Sequence, residues 1–167
     1  MDDKPRDPKE SLFAKGGYAI SFGYGFVIAL ITLIAFFWTP VFCCGDITFN
    51  LNEIALRLAE FDNCLIKSQT MAFSTLAIAE LFHMLGMTNV KKSFVSNFKG
   101  KNWLLFVAFA VGIALQVFVV MTNGVYTIFK CYPLTWEWIV VVCLSLLPLV
   151  IHEIVALIIY IVNKVKK

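Results

Sequence analysis

Four apolar runs divide the chain: Gly16 to Trp38, Ser68 to Gly86, Asn102 to Met121 and Trp136 to Val162. Each is close to or longer than the roughly 20 residues of helix that cross a hydrocarbon core. The runs are continuous and do not alternate apolar with polar positions, which argues for helices rather than strands. The last run exceeds what a span needs, so it is expected to tilt, to bend near Pro148 or to project beyond the membrane. The pattern predicts an all-α membrane protein with four transmembrane helices. Between the first two runs, "NLNEIALRLAEF" puts Leu51, Ile54, Ala55, Leu58 and Phe61 on one helical face and Asn52, Glu53, Arg57 and Glu60 on the other. Asn50 followed by Glu53 resembles a capping-box start. This predicts a short amphipathic helix, either resting on the outer membrane surface or packed on its neighbours.

Composition agrees with a membrane solvent. Of the 167 residues, 60% are hydrophobic and 15% charged, and the mean hydropathy is +0.82; a soluble domain has about 45–50% apolar and about 25% charged residues. "MDDKPRDPKESLFAK" is charged and carries two prolines, and the apolar run after it is too long for a signal-peptide core. The first helix is therefore expected to remain. Orientation follows from Lys and Arg. The lead holds Lys4, Arg6, Lys9 and Lys15, the connector after the second run holds Lys91, Lys92, Lys99 and Lys101, and the tail holds Lys164, Lys166 and Lys167. Only Arg57, Lys67 and Lys130 lie elsewhere, so both termini are expected in the cytoplasm. Trp38, Trp103, Trp136 and Trp138 sit at run ends, where amphipathic rings prefer the headgroup level. This topology accounts for the net charge of +3, and no basic surface interleaved with aromatics points to nucleic acid. The chain reads as one unit, 1–167, without internal repeats.

Gly17, Ser21, Gly25 and Ala29 form a small-residue ridge along the first helix, and Ala108, Gly112 and Gln116 form another along the third. Such ridges let backbones approach closely in lipid, and the expectation is packing inside this four-helix group rather than against a partner. Cys43, Cys44, Cys64 and Cys131 fall at the outer side and Cys143 within the fourth helix. An oxidising exterior would allow Cys43 or Cys44 to pair with Cys64, a choice that spacing leaves open. Zinc is disfavoured, since the vicinal cysteines lack a usual ligand spacing and neither histidine belongs to that loop. There is no phosphate-binding Gly-rich loop, no G-x-S-x-G elbow and no H-E-x-x-H; "IHEIV" at 151–155 lacks the second histidine. No catalytic residue and no cofactor are expected.

The polar positions inside the helices are Glu80, Gln116 and Glu153. An ionisable group at the bilayer centre costs about 2.5–3.5 kcal/mol on insertion scales, so it must face a bundle interior, a water path or an ion. Glu153, with His152 beside it, reads as a structural anchor, and Gln116 as an interhelical hydrogen-bonding group. Glu80 is bordered by Ala77 and Ala79 and followed by His83 one turn on. It is either protonated and hydrogen-bonded, or one ligand of a hard cation such as Ca²⁺, whose 6–8 oxygens would have to come mostly from other helices.

These residues also carry a resemblance. "KPRDPKESLFAKGGYAISFGYG", "QTMAFSTLAIAELFHMLG", "KNWLLF…LQVFVV" and "LTWEWIVVVCLSLLPLVIHEIV" resemble, in order and spacing, the last four of ten membrane helices of P-type calcium-transporting ATPases. The resemblance covers about Lys4 to Val155. It implies that Glu80 matches an eighth-helix carboxylate that contributes to one of two calcium sites in sarcoplasmic-reticulum-type pumps, where many bacterial relatives carry Gln. It also implies a Cys44–Cys64 disulfide, by analogy with relatives linked in that loop. The phosphorylated "DKTGT" motif, the nucleotide and actuator domains and the preceding ion-binding helices have no counterpart here. Ala156 stands where relatives often have Lys. The implied reading is the C-terminal membrane scaffold of a calcium pump, as a truncated or split chain, not catalytic alone, in a prokaryotic plasma membrane or an internal membrane. Its partners would be the lipid bilayer and the remaining pump helices and cytoplasmic domains, with Ca²⁺ the transported ion. The rival expectation is a stand-alone four-helix membrane protein that binds or regulates a partner transporter.

Overall fold

A computed structural model of the chain describes residues 17–87 and 103–165. The basic lead, the connector with Lys91, Lys92, Lys99 and Lys101, and Lys166 and Lys167 lie outside the described residues, so the charge-based orientation rests on sequence alone. In chain order the helices are α1 (Gly17–Phe42), α2 (Leu51–Glu60), α3 (Asp62–Met87), α4 (Trp103–Met121), α5 (Val125–Ile128), α6 (Glu137–Ser145) and α7 (Leu147–Val165). Among the described residues four stretches are long and apolar enough to cross a membrane: Ser21–Phe42, Asp62–Met87, Trp103–Met121 and Glu137–Ile158.

The boundaries depart from the apolar runs for local reasons. Helix α1 continues past Trp38 through Pro40, because Thr39 is fully buried and its Oγ1 donates to Met71 Sδ at 3.1 Å. Helix α3 begins at Asp62, six residues before the apolar run. Asp62 suits the positive end of the helix dipole, and Ser68 and Thr70 turn their hydroxyls back to the Cys64 and Ile66 carbonyls at 2.8 Å each. Both thereby satisfy themselves within the helix. The long fourth run breaks between α6 and α7, one residue before the dipeptide Leu147–Pro148. Leu146 keeps helical dihedrals (φ −73°, ψ −19°), so the chain bends rather than turns away.

Helix α3 is the centre. It packs against α1, α2, α4, α6 and α7, and 44% of its membrane window is buried against 11% for α4. Met71 and Ile78 of α3 meet Val120, Leu134 and Val141, with Trp38 and Trp138 packed around them. Ala79 meets Ile28 and Ile31 of α1. Between Ser21 and Ala35 of α1 the buried residues are Tyr24, Ile28, Ile31 and Ala35, one stripe at helical spacing.

That stripe overturns the expectation for the first small-residue ridge. Ser21, Gly25 and Ala29 are exposed, and a Cβ built on Gly25 would meet nothing within 4 Å. At about 100° per residue the ridge lies roughly a quarter turn from the packed stripe. The α4 ridge is split: Ala108 is exposed, whereas Gly112 lies under Leu81, whose Cδ1 would be 2.8 Å from an added Cβ.

Candidate functional site

Beyond its first turn, the exposed residues of α3 fall on one face. Gln69, Phe73, Leu76, Glu80 and Met84 are all exposed and follow helical spacing, so they form a single stripe along the helix. Glu80 is about 8 Å from the helix midpoint at 1.5 Å rise per residue, inside the roughly 15 Å half-thickness of a hydrocarbon core. Among the described residues no helix covers this stripe. Among the described residues no group of three or more His, Cys, Asp or Glu side chains could hold a metal ion, so Glu80 is not part of such a group there.

Opposite this face α3 is fastened by polar contacts. Gln116, 7% exposed, donates through Nε2 to Ser74 Oγ at 3.0 Å and ties α4 to α3. Ser145 Oγ donates to the Thr75 carbonyl at 3.2 Å at the α6–α7 bend. The Phe82 and Phe109 rings meet at a tilt of 58° with centroids 5.1 Å apart. The helix bearing Glu80 is therefore held from the sides and open on the Glu80 face.

His83 stacks on Tyr24 of α1 at 4.5 Å between centroids and is within electrostatic reach of Glu80 and His152. His152 is 2% exposed and rests on Gly86, where an added Cβ would come within 3.0 Å of its Cγ. Glu153 is half-buried beside it on α7.

The other end of α3 holds groups that sequence reasoning passed over. Glu137, 1% exposed at the start of α6, pairs with Lys67 of α3. Its other oxygen accepts from the Thr135 N–H at 2.9 Å and Thr135 Oγ1 at 3.1 Å. Lys67 also lies 5.6 Å over the Tyr132 ring, and the Tyr132 N–H donates to Thr70 Oγ1 at 2.8 Å. The signal was a lone Lys at the head of an apolar run and a Glu between two tryptophans, but only the α3–α6 packing joins them.

A disulfide links Cys44 to Cys64 with their Cα atoms 6.1 Å apart, and Cys43 is a free thiol. Burial pushes the Cys43 thiol above its ordinary range, with Lys67 pulling it down and Glu137 pushing it up. Beside the disulfide, Arg57 Nη1 donates to the Pro40 carbonyl at 2.9 Å and fastens α2 to the end of α1. The capping box at α2 is relayed rather than direct. Asn50 Oδ1 accepts from the Asn52 N–H at 3.0 Å, while Glu53 accepts from Thr48 Oγ1 at 2.6 Å, which in turn accepts from the Asn50 N–H. Of the expected apolar face of α2, only Ile54 is buried and Leu58 half-buried; Leu51 and Phe61 are exposed.

Comparison with known proteins places this geometry. The family model for the C-terminus of cation transporting ATPases matches residues 1–158. Calcium-transporting ATPase 1 of Bacillus cereus (strain ATCC 10987 / NRS 248) is 35% identical over 158 residues, 94% of this chain and 17% of that protein. A calcium-transporting ATPase of Bacillus subtilis (strain 168) is 30% identical over 151 residues, 89% of this chain and 15% of that protein. The chain thus spans about a sixth of the length of these relatives. No solved structure matches it at a significant level.

Proposed function

The chain belongs to the cation transporting ATPase C-terminal family, and on that premise we propose that it is the membrane scaffold of a calcium-pump-like P-type ATPase whose Glu80 supplies one ligand to the transported ion. The observation that carries this reading is the position of Glu80 on the uncovered face of α3. A carboxylate facing lipid at that depth would cost about 2.5–3.5 kcal/mol; facing other pump helices and a cation, it is compensated. Ca²⁺ collects its 6–8 oxygens from several elements, which fits a face whose one carboxylate beyond the helix start at Asp62 is Glu80. The exposed ridge Ser21, Gly25 and Ala29 on α1 offers a second close-approach surface for those helices. ATP hydrolysis, phosphoryl transfer and the remaining ligands belong to the rest of the assembly, with both ends of this chain in the cytoplasm.

The test is the Ca²⁺ dependence of transport by the full pump carrying E80Q or E80A. Loss of a direct ligand is expected to raise the half-saturating Ca²⁺ concentration by at least about tenfold, the lower bound for losing even a group behind a ligand. An unchanged Ca²⁺ dependence removes Glu80 from the site. The same uncovered faces would serve a stand-alone protein that docks on a partner transporter. The coding sequence upstream separates the two: a frame encoding "DKTGT" and the earlier helices favours the pump, an independent promoter beside an unrelated gene the partner.

A further inference from the structure

The disulfide end of the bundle has a cavity of about 480 Å³ that has no part in the ion-binding proposal. Its wall includes Asn63 at the start of α3, Tyr126 and Thr127 of α5, then Lys130 and Tyr132. Every one of these side chains carries a hydrogen-bond donor, one is a cation, and no carboxylate lines the cavity. Lys130 is exposed and has no ion-pair partner among the described residues; Lys67, by contrast, is neutralised by Glu137. The wall is built rather than loose. The Cys131 N–H donates to the Tyr126 carbonyl at 2.8 Å, the Lys130 N–H donates to the Thr127 carbonyl at 3.2 Å, and the Tyr132 N–H anchors the segment on Thr70.

Position selects the ligand. Helix α4 ends at Met121 and α6 begins at Glu137, so residues 122–136 run along one edge of the hydrocarbon core. In that segment Ile128 is 79% exposed, Phe129 59% and Trp136 53%. Large apolar side chains flanking a cation match the acyl–headgroup boundary, where rings and aliphatic groups sink and charges stay at headgroup level. We propose that this cavity is a phospholipid headgroup site, in which Lys130 pairs with the phosphate of an anionic lipid, the surrounding donors complete its hydrogen bonding, and Ile128 and Phe129 lie against its acyl chains. The site is independent of Glu80 and of the pump reading.

The experiment uses the full chain in nanodiscs of mixed phosphatidylcholine and phosphatidylglycerol, released into detergent and weighed by native mass spectrometry. The wild type is expected to retain one phosphatidylglycerol. K130Q is expected to reduce the retained fraction by about fivefold, the effect of one basic residue at an anionic surface, and K130R to keep it. Circular dichroism checks helix content, and if K130Q loses it, the double variant Y126F/T127A takes its place. Equal retention by wild type and variant overturns the site. Displacement of the lipid by inorganic phosphate, where chloride at the same ionic strength has no effect, overturns the lipid assignment in favour of a soluble phosphate.

Discussion

Removing the Glu137 carboxylate leaves the Lys67 ammonium, only 19% exposed, without its counter-charge. Breaking one partner of such a buried pair costs about 3–5 kcal/mol, so E137A is expected to shift the unfolding of the purified chain in SDS titrations by an amount of that order. The reversed pair, K67E with E137K, should recover only part of the loss, because the Thr135 N–H and hydroxyl would then face an ammonium that cannot accept from them; no loss in E137A would reduce the pair to a surface contact. The thiols nearby give a pH prediction. Burial raises both Cys43 and Cys131, with Thr70 pulling Cys131 slightly down. A raised thiol forms its reactive thiolate only at higher pH. Alkylation of Cys43 and Cys131 near neutral pH should therefore run slower than in the denatured chain, and the difference should narrow as pH rises. Equal rates at neutral pH would contradict the burial. Glu137 was not legible in the sequence because charges at span ends are ordinary. Glu80 was legible because a carboxylate well inside an apolar run is not.

The close α3–α7 and α3–α4 contacts make different predictions. At Gly86 an added Cβ would meet the Cγ and Cβ of buried His152 at 3.0 and 3.3 Å, near the root of that side chain, whereas at Gly112 it would meet the terminal methyl groups of Leu81 at 2.8 and 2.9 Å. A leucine end can rotate aside, but an imidazole held at its base cannot move without its helix. G86A is therefore expected to destabilise the chain by about 1–3 kcal/mol, as overpacked cores do, and G112A by clearly less; SDS-titration midpoints of the two variants test the order. The four helical runs followed from the apolar pattern, because length acts locally, and the bend near Pro148 is one of the three outcomes that pattern left open for the last run. The ends of α1 and α3 did not, since Thr39 and Lys67 look like loop residues until Met71 and Glu137 arrive from elsewhere in the chain. The α1 ridge was misjudged for a related reason. Small residues mark where a backbone can come close, and nothing in their spacing says whether the neighbour is in the same chain.

At the scale of the molecule, α3 is held on three sides and, among the described residues, open on the fourth. Gln116, Ser145 and the tilted Phe82–Phe109 ring pair fix α3 within the chain, while Gln69, Phe73, Leu76, Glu80 and Met84 are exposed. The proposal that the chain packs against other helices of a pump accounts for such a face, and the proposal that Glu80 binds the transported ion accounts for a carboxylate on it. Equilibrium binding of radioactive Ca²⁺ to the full pump, wild type against E80A, tests that claim most directly. The account predicts that the variant binds fewer ions per pump, or binds the same number at least about tenfold more weakly. Identical stoichiometry and affinity in the two would contradict it.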